Sequence, residues 1–384
     1  MKKKILLHPP TLGLKEKRYL IKTVSDNWIS TAGPNILSFE NKIKIYTKSK
    51  YCLSMANGTS AIHLALKAVG VEQDDEVIVP TLTFIASINP ITYIKANPVF
   101  MDSDDYFNID SKKTIEFLKN HTFMKTGYTY NKNTKKRISA IVPVHVWGNA
   151  VYLDKLFIEC KKRNIKIVED ASESLGTWYT KGKFSRKHTG TIGDIGCLSF
   201  NSNKIITCGG GGAIITGSKK YYEKIKLLAS QARIHKINFI HSDVGYNYRI
   251  TSLHAAIGTG QIESIKKILI KKKKIREIYK KALFSRKIKM NLLPNYSNNN
   301  CWMNLVNLEL NNFNKIYKKI LELSKSKIET RPVWHLNHLQ QPFTRFQSYK
   351  ISVSKKLFEN YICLPSGLSL KKKRSRKYNK PYLI

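Results

Sequence analysis

The sequence predicts an α/β protein built on a mainly parallel sheet with helices on both faces, followed by a smaller second domain. Three observations predict it. Short apolar stretches alternate with helical patterns through the first half of the chain. Several of those stretches end in polar or glycine-rich segments, where ligands gather in sheets of this kind. The 384 residues are enough for a large domain and a smaller one, each with its own core.

In chain order, residues 51–55, 76–79, 98–101, 138–144 and 165–169 read as buried strands. Residues 61–69, 85–94 and 152–162 read as helices between them. The polar stretch 121–136 reads as an excursion inserted before a strand. Residues 195–200 alternate small and apolar side chains as a buried strand does. A long basic helix from about 253 to 283 links to the smaller α+β domain, with the division placed at 1–260 and 261–384. The tail at 371–380 is expected to be loosely held.

Composition narrows the classes. Hydrophobic residues make up 42%, and no apolar run is long enough to span a bilayer. The apolar stretch 5–7 is too short for a signal-peptide core. Six cysteines with no CxxC pair argue against a metal site or a disulfide scaffold and suit reduced thiols in a cytoplasm. The net charge of +41 suggests anionic partners, but 55 of the 67 basic residues are lysine and they are spread along the chain. Recognition surfaces draw on arginine, and no nucleic-acid motif is present. Codon bias toward A/T explains the abundance of Lys, Asn and Ile together. A basic nucleic-acid-binding protein on a degenerate enzyme fold is the alternative from another class.

Four segments carry candidate chemistry. Asn57-Gly58-Thr59-Ser60-Ala61 follows a strand and opens a helix. Its N–H groups and two hydroxyls would cup a phosphate, and Thr59 or Ser60 could equally cap the helix. Phe84 follows another strand and could stack on a flat ring or join the core. Asp170 ends a strand; it could pair with a protonated ring nitrogen or cap the next turn, and Glu173 could reach the same place. Lys204 lies between the strand at 195–200 and the glycines 209–212, which let backbone pass close to a flat or anionic group. A lysine there can form a Schiff base with an aldehyde cofactor, or it can be a solvated loop residue. Together these are the parts a pyridoxal phosphate site needs.

The motifs NGTSA, PTLTFIAS, VEDASES, GTIGDIGCLSFNSNK, GGGG and GYNYR resemble those of the DegT/DnrJ/EryC1/StrS sugar-nucleotide aminotransferases, along nearly the whole chain. The resemblance implies the fold type I of pyridoxal 5'-phosphate-dependent transferases. It implies that Lys204 bonds the cofactor aldehyde, that Asp170 pairs with the pyridine nitrogen and that Phe84 covers the ring. Thr59, Ser60 and Ser199 would hold the phosphate, with Asn201 and Glu173 also at the cofactor, Glu173 near its ring hydroxyl. Asn247 would reach the phosphate of the neighbouring subunit in a homodimer.

A narrower similarity is to aminotransferases of legionaminic acid pathways, carried by the insertion at 130–138, DASESLG, the segment from His188 to Thr191, and Thr330-Arg331-Pro332-Val333-Trp334. It implies amination at C4 of a UDP-linked 4-keto-6-deoxy-N-acetylhexosamine with glutamate as donor. His188, Arg331 and His335 are its candidate substrate contacts. Ser202 replaces a glycine common in those relatives, and Asn149-Ala150 replaces His-Pro. Amination at C3 of a dTDP-keto-sugar is the alternative, and Lys204 argues against the dehydratase branch, which carries histidine at this position.

Overall fold

The computed structural model describes residues 4–235 and 237–370. The tail expected from 371 onward lies outside them. The chain begins with α1 (Leu14–Ser25) and α2 (Pro34–Thr47), then β1 (Tyr51–Met55) and α3 (Gly58–Val69). There follow β2 (Glu76–Pro80), α4 (Asn89–Tyr93), β3 (Asn97–Met101) and α5 (Ser111–Asn120). The excursion at 121–136 is a hairpin of β4 (Thr122–Lys125) and β5 (Tyr128–Asn131). Its two-residue turn places Thr126 at φ 49° and Gly127 at φ 79°, the positive angles that match the twist of the flanking strands.

Next come β6 (Ile138–Ile141), α6 (Asp154–Lys162), β7 (Lys166–Asp170), β8 (Trp178–Tyr179), β9 (Ile195–Ser199), β10 (Gly212–Thr216) and α7 (Lys219–Ala229). A short hairpin, β11 (Arg233–His235) and β12 (Ile240–His241), precedes α8 (Ser252–Glu263) and α9 (Ile265–Phe284). The C-terminal part holds β13 (Ser297–Asn298), β14 (Asn304–Asn307), α10 (Phe313–Lys325), β15 (Arg331–Pro332), β16 (Ser348–Tyr349), α11 (Val353–Phe358) and β17 (Tyr361–Leu364).

Eight strands form the central sheet in the order β1-β10-β9-β7-β6-β2-β3-β16. All its neighbours pair in parallel except β10, which runs against both β1 and β9. That single reversal brings the start of β10 to the edge where the other strands end: Met55 and Ser199 both pair with Gly212. A Cβ at Gly212 would lie 2.5 Å from the Asn57 carbonyl carbon, so glycine alone lets β10 start against the head of α3. The inner strands are buried on both faces, which is why Val77–Val79, Val99–Met101 and Ala213–Ile215 are unbroken apolar runs.

Two expected helices are interrupted. The stretch 85–94 is a 3-10 turn (Ile85–Ser87) and then α4, because Pro90 has no N–H to continue a helix but suits the first turn of a new one. The long basic helix breaks at Ser264, whose N–H bonds to Gln261 O at 3.0 Å and tightens the last turn of α8. A smaller antiparallel sheet, β14-β17-β15, carries α10 and has its own apolar cluster around Leu283, Val306, Ile316 and Ile362. The chain then returns to the large sheet, where β16 pairs with Phe100 and Met101 of β3.

Candidate active site

The ends of β1, β2, β7 and β9 and the glycines before β10 open into one cavity of about 900 Å³. Its walls include Asn57, Gly58, Thr59, Phe84, Asp170, Glu173, Ser199 and Lys204. Residues separated by up to about 150 positions in sequence therefore meet because parallel strands all end on one edge.

The head of α3 forms one wall. Asn57 Oδ1 accepts from Ser60 N at 2.8 Å, and Ser60 Oγ donates to Asn57 O at 2.9 Å. This reciprocal cap is the work of Asn57 and Ser60; it leaves the Gly58 and Thr59 N–H groups, which have no intrahelical acceptors, at the cavity wall. Thr59 and Ser199 line the cavity, whereas Ser60 does not. A Cβ at Gly58 would come within 3.0 Å of Ser199 Cβ, so the cup exists only because this position is glycine. Helix-end N–H groups, hydroxyls and the positive end of the α3 dipole suit a phosphate.

Asp170 is 4% exposed at the end of β7. Its Oδ2 accepts from Ser87 Oγ at 2.6 Å and its Oδ1 from Ser172 N at 3.0 Å, which fixes the plane of the carboxylate. Phe84, by contrast, is 51% exposed, too much for a core residue, and its ring lies 6.3 Å from that of Trp334. An accessible aromatic face and a fixed carboxylate in one cavity fit a flat ring with a protonated nitrogen.

Lys204 follows β9 in a turn closed by its own N–H bonding to Asn201 O at 3.0 Å. Its Nζ donates to Glu173 Oε1 at 3.3 Å and sits 4.3 Å from the centroid of the Trp302 ring. The other oxygen of Glu173 accepts from Trp147 N at 2.8 Å. Burial pushes the Glu173 carboxyl up to about 7, against the opposing pull of Lys204 and of the Trp147 N–H. Trp147 reaches it from a left-handed backbone (φ 57°), a conformation costly for so large a residue. Its indole stacks on Trp334 at 3.9 Å and 11°, and on Trp302 at 5.7 Å.

Leu7, His8, Arg331, Trp334 and His335 also line the cavity. Arg331 is held by Glu329 at 2.6 Å and stays largely exposed. His335 packs edge-on against Phe358 at 5.1 Å.

Three other expected residues lie elsewhere or only at the margin. His188 is fully buried and away from the cavity; its Nε2 accepts from Gly176 N at 2.8 Å and its Nδ1 donates to Thr189 O. Burial lowers it to about 4, so it is a neutral structural imidazole with both nitrogens committed. The segment around it is pinned by Glu169, which accepts from the N–H groups of Gly190, Ile192 and Gly193 and from His145. Asn247 is exposed beyond the cavity of its own chain. Asn201 lines the cavity, with its Oδ1 accepting from Ser202 N at 2.7 Å.

Sequence inspection missed Ser87, Trp147, Trp302 and His8. A serine one turn beyond Phe84 has no distinguishing signal. The tryptophans are few enough to have been suspected, since the chain has only five and three of them stack here.

The sequence model of the DegT/DnrJ/EryC1/StrS aminotransferase family matches residues 10–377. EpsN of Bacillus subtilis (strain 168), by name a pyridoxal phosphate-dependent aminotransferase, is 36% identical over 96% of this chain and 92% of its own. GDP-perosamine synthase of Escherichia coli O157:H7 is 33% identical over 91% of this chain and 90% of its own. Helicobacter pylori PseC, an aminotransferase involved in the biosynthesis of pseudoaminic acid, has the same fold, with a TM-score of 0.84 over 97% of this chain and 96% of its own at 22% identity.

Proposed function

The chain belongs to the DegT/DnrJ/EryC1/StrS aminotransferase family and is a pyridoxal phosphate-dependent sugar-nucleotide aminotransferase; from that premise we propose that it transfers an amino group from glutamate to C4 of a nucleotide-linked 4-keto-6-deoxy sugar. The observation that carries this reading is the position of Lys204. It lines one cavity together with the anion cup of α3 and with Arg331, Trp334 and His335, where a sugar nucleotide would lie.

Bound in this cavity, pyridoxal phosphate supplies an electron sink for the carbanion formed when an amino-bearing carbon loses its proton. Gly58 N, Thr59 and Ser199 would hold its phosphate, Asp170 would keep a proton on its ring nitrogen, and Phe84 would cover one face. Lys204 Nζ would move the proton to and from the substrate carbon, since it is the one lysine amine in the described cavity wall. Glu173 holds Nζ in place during both halves of the reaction. The indoles of Trp147 and Trp334 offer a flat apolar wall to a sugar, and Arg331 and His335 offer contacts for its pyrophosphate.

The preference for C4 is supported by Arg331, Pro332, Val333 and Trp334, all of which line the cavity. The hairpin of β4 and β5, which carries part of the same sequence similarity, does not line it. The exposed Asn247 and the apolar side chains of the β11–β12 hairpin, Ile234 and Phe239, support a homodimer in which this surface meets the neighbouring subunit. The six cysteines are free and buried, in keeping with a cytoplasmic setting.

Incubation with glutamate and a panel of UDP-, GDP- and dTDP-linked 4-keto- and 3-keto-6-deoxy sugars, followed by mass spectrometry, tests the assignment. A product in which the 4-keto oxygen is replaced by an amine is expected; amination of only the 3-keto substrates would overturn it.

The raised carboxyl of Glu173 has a consequence for stability. Its pKa in the folded protein, about 7, lies above the ordinary 4.5, so the folded state binds the proton more tightly than the unfolded chain does. The stability that this group contributes is therefore fully present below about 4.5 and is lost as pH rises through about 7. Glu173→Gln in the cofactor-free protein should remove that slope while keeping an acceptor for Lys204. Melting temperatures of both proteins between pH 4.5 and 8 check it, and parallel curves would show that Glu173 does not titrate there.

A further inference from the structure

Taking this cavity as the amination site, we propose that His8 is a substrate-binding residue whose Nδ1–H donates to an anionic oxygen of a ligand held beside Lys204. The segment that carries His8 is firmly placed. Ile5 N bonds to Lys327 O at 2.8 Å, Glu329 N to Ile5 O at 2.9 Å and Ser366 N to Leu7 O at 2.6 Å. Leu7 N donates in addition to Glu329 Oε2 at 3.1 Å. These bonds lay the segment along the small antiparallel sheet and set His8 in the cavity wall.

Behind the imidazole stands Lys272 of α9, only 1% exposed. Its Nζ donates to Trp302 O at 2.7 Å, to Ser366 O at 2.6 Å and to His8 Nε2. As an ammonium Lys272 has three N–H groups for these three acceptors, and burial draws its pKa down to about 7. Burial, and then the neighbouring Lys272, keep the His8 ring neutral. A neutral imidazole whose Nε2 accepts must carry its proton on Nδ1. That Nδ1 is buried and has no hydrogen-bond partner among the described residues.

A buried donor without a partner is costly unless a ligand satisfies it. His8 is itself one of the residues that line the cavity, the space from which a ligand would meet this donor. The His8 ring lies 6.3 Å from Trp302, the same indole that Lys204 Nζ approaches at 4.3 Å. With Lys272 behind and Lys204 beside it, the acceptor that completes the set is anionic. A carboxylate of the amino-acid donor and a phosphate oxygen of the sugar nucleotide share this chemistry.

Two variants separate the roles of the ring nitrogens. His8→Gln keeps an acceptor near Nε2 for Lys272 but withdraws the Nδ1 donor; His8→Asn keeps an amide N–H near Nδ1. Calorimetric titration of the cofactor-loaded protein with glutarate, an unreactive dicarboxylate, and with UDP and GDP reads the two sources. We expect His8→Gln to weaken one of these classes about tenfold or more, with His8→Asn nearer to wild type. Weakened glutarate binding identifies the donor carboxylate, and weakened diphosphate binding identifies the nucleotide. Unchanged binding of both, or equal loss of both with a lowered melting temperature, overturns the proposal. The two readings fail separately: if the wild-type protein does not convert its cofactor with glutamate, the amination site itself is wrong. If it does, and His8→Gln binds as wild type, only the role of His8 is wrong.

Discussion

Lys204→Ala is expected to lower turnover by about 10⁴-fold or more, the upper range for loss of a positioned acid–base group. No other amine can stand in. The described cavity wall contains one lysine, Lys204, and the nearby Lys272 is enclosed behind His8 by three acceptors. The variant should also lose the visible absorption band of lysine-bound cofactor while keeping its fold. The turn that carries Lys204 is closed by its own backbone N–H, so the fold is expected to persist, while the buried Glu173 loses its Nζ partner. Circular dichroism and a cofactor spectrum on the same sample check both statements. A variant that turns over at the wild-type rate would exclude Lys204 from the chemistry.

The second large effect is at Asp170. Asp170→Asn keeps the shape of the side chain and the bond from Ser172 N, with the Ser87 hydroxyl turned to accept from the new amide, but it removes the negative charge that would hold a proton on the ring nitrogen. The expected loss in kcat is on the order of 10²–10³, typical for removal of one preorganised electrostatic partner. Phosphate-dependent binding of the cofactor should change much less, since the α3 cup is untouched. A pyridine-nitrogen shift in the NMR spectrum of labelled cofactor would report the lost proton directly. A variant with a normal rate and a protonated ring nitrogen would assign that role to another group.

The partition between what was legible in the sequence and what was not follows from physical range. Strands buried on both faces announce themselves as continuous apolar runs, so β1, β2, β3 and β7 are found within a residue or two of their expected positions. Breaks in helices depend on local chemistry that is weaker: Pro90 is visible, whereas the tightened turn at Ser264 is not. Two-residue strands such as β16 carry no pattern, because their pairing is decided by the partner edge they reach. His188 shows the same limit in the site. Its sequence neighbourhood resembles a substrate segment, yet Glu169 gathers the following N–H groups and buries the ring with both nitrogens occupied.

The sequence by itself determined the sheet class, the family, the cofactor and the places where Lys204, Asp170 and the α3 head fall at strand ends. Those properties depend on local periodicity and short motifs, which survive in one dimension. Only the tertiary structure decided which groups share a cavity. It showed that Ser60 serves the helix cap while Thr59 faces the ligand space, that Ser87 orients Asp170, and that Glu173 lies between Lys204 and Trp147. It also brought His8 and Lys272, 264 residues apart, into one hydrogen-bonded pair. Such contacts arise from strand order and from one reversed strand, and neither leaves a mark on the residues that meet because of it.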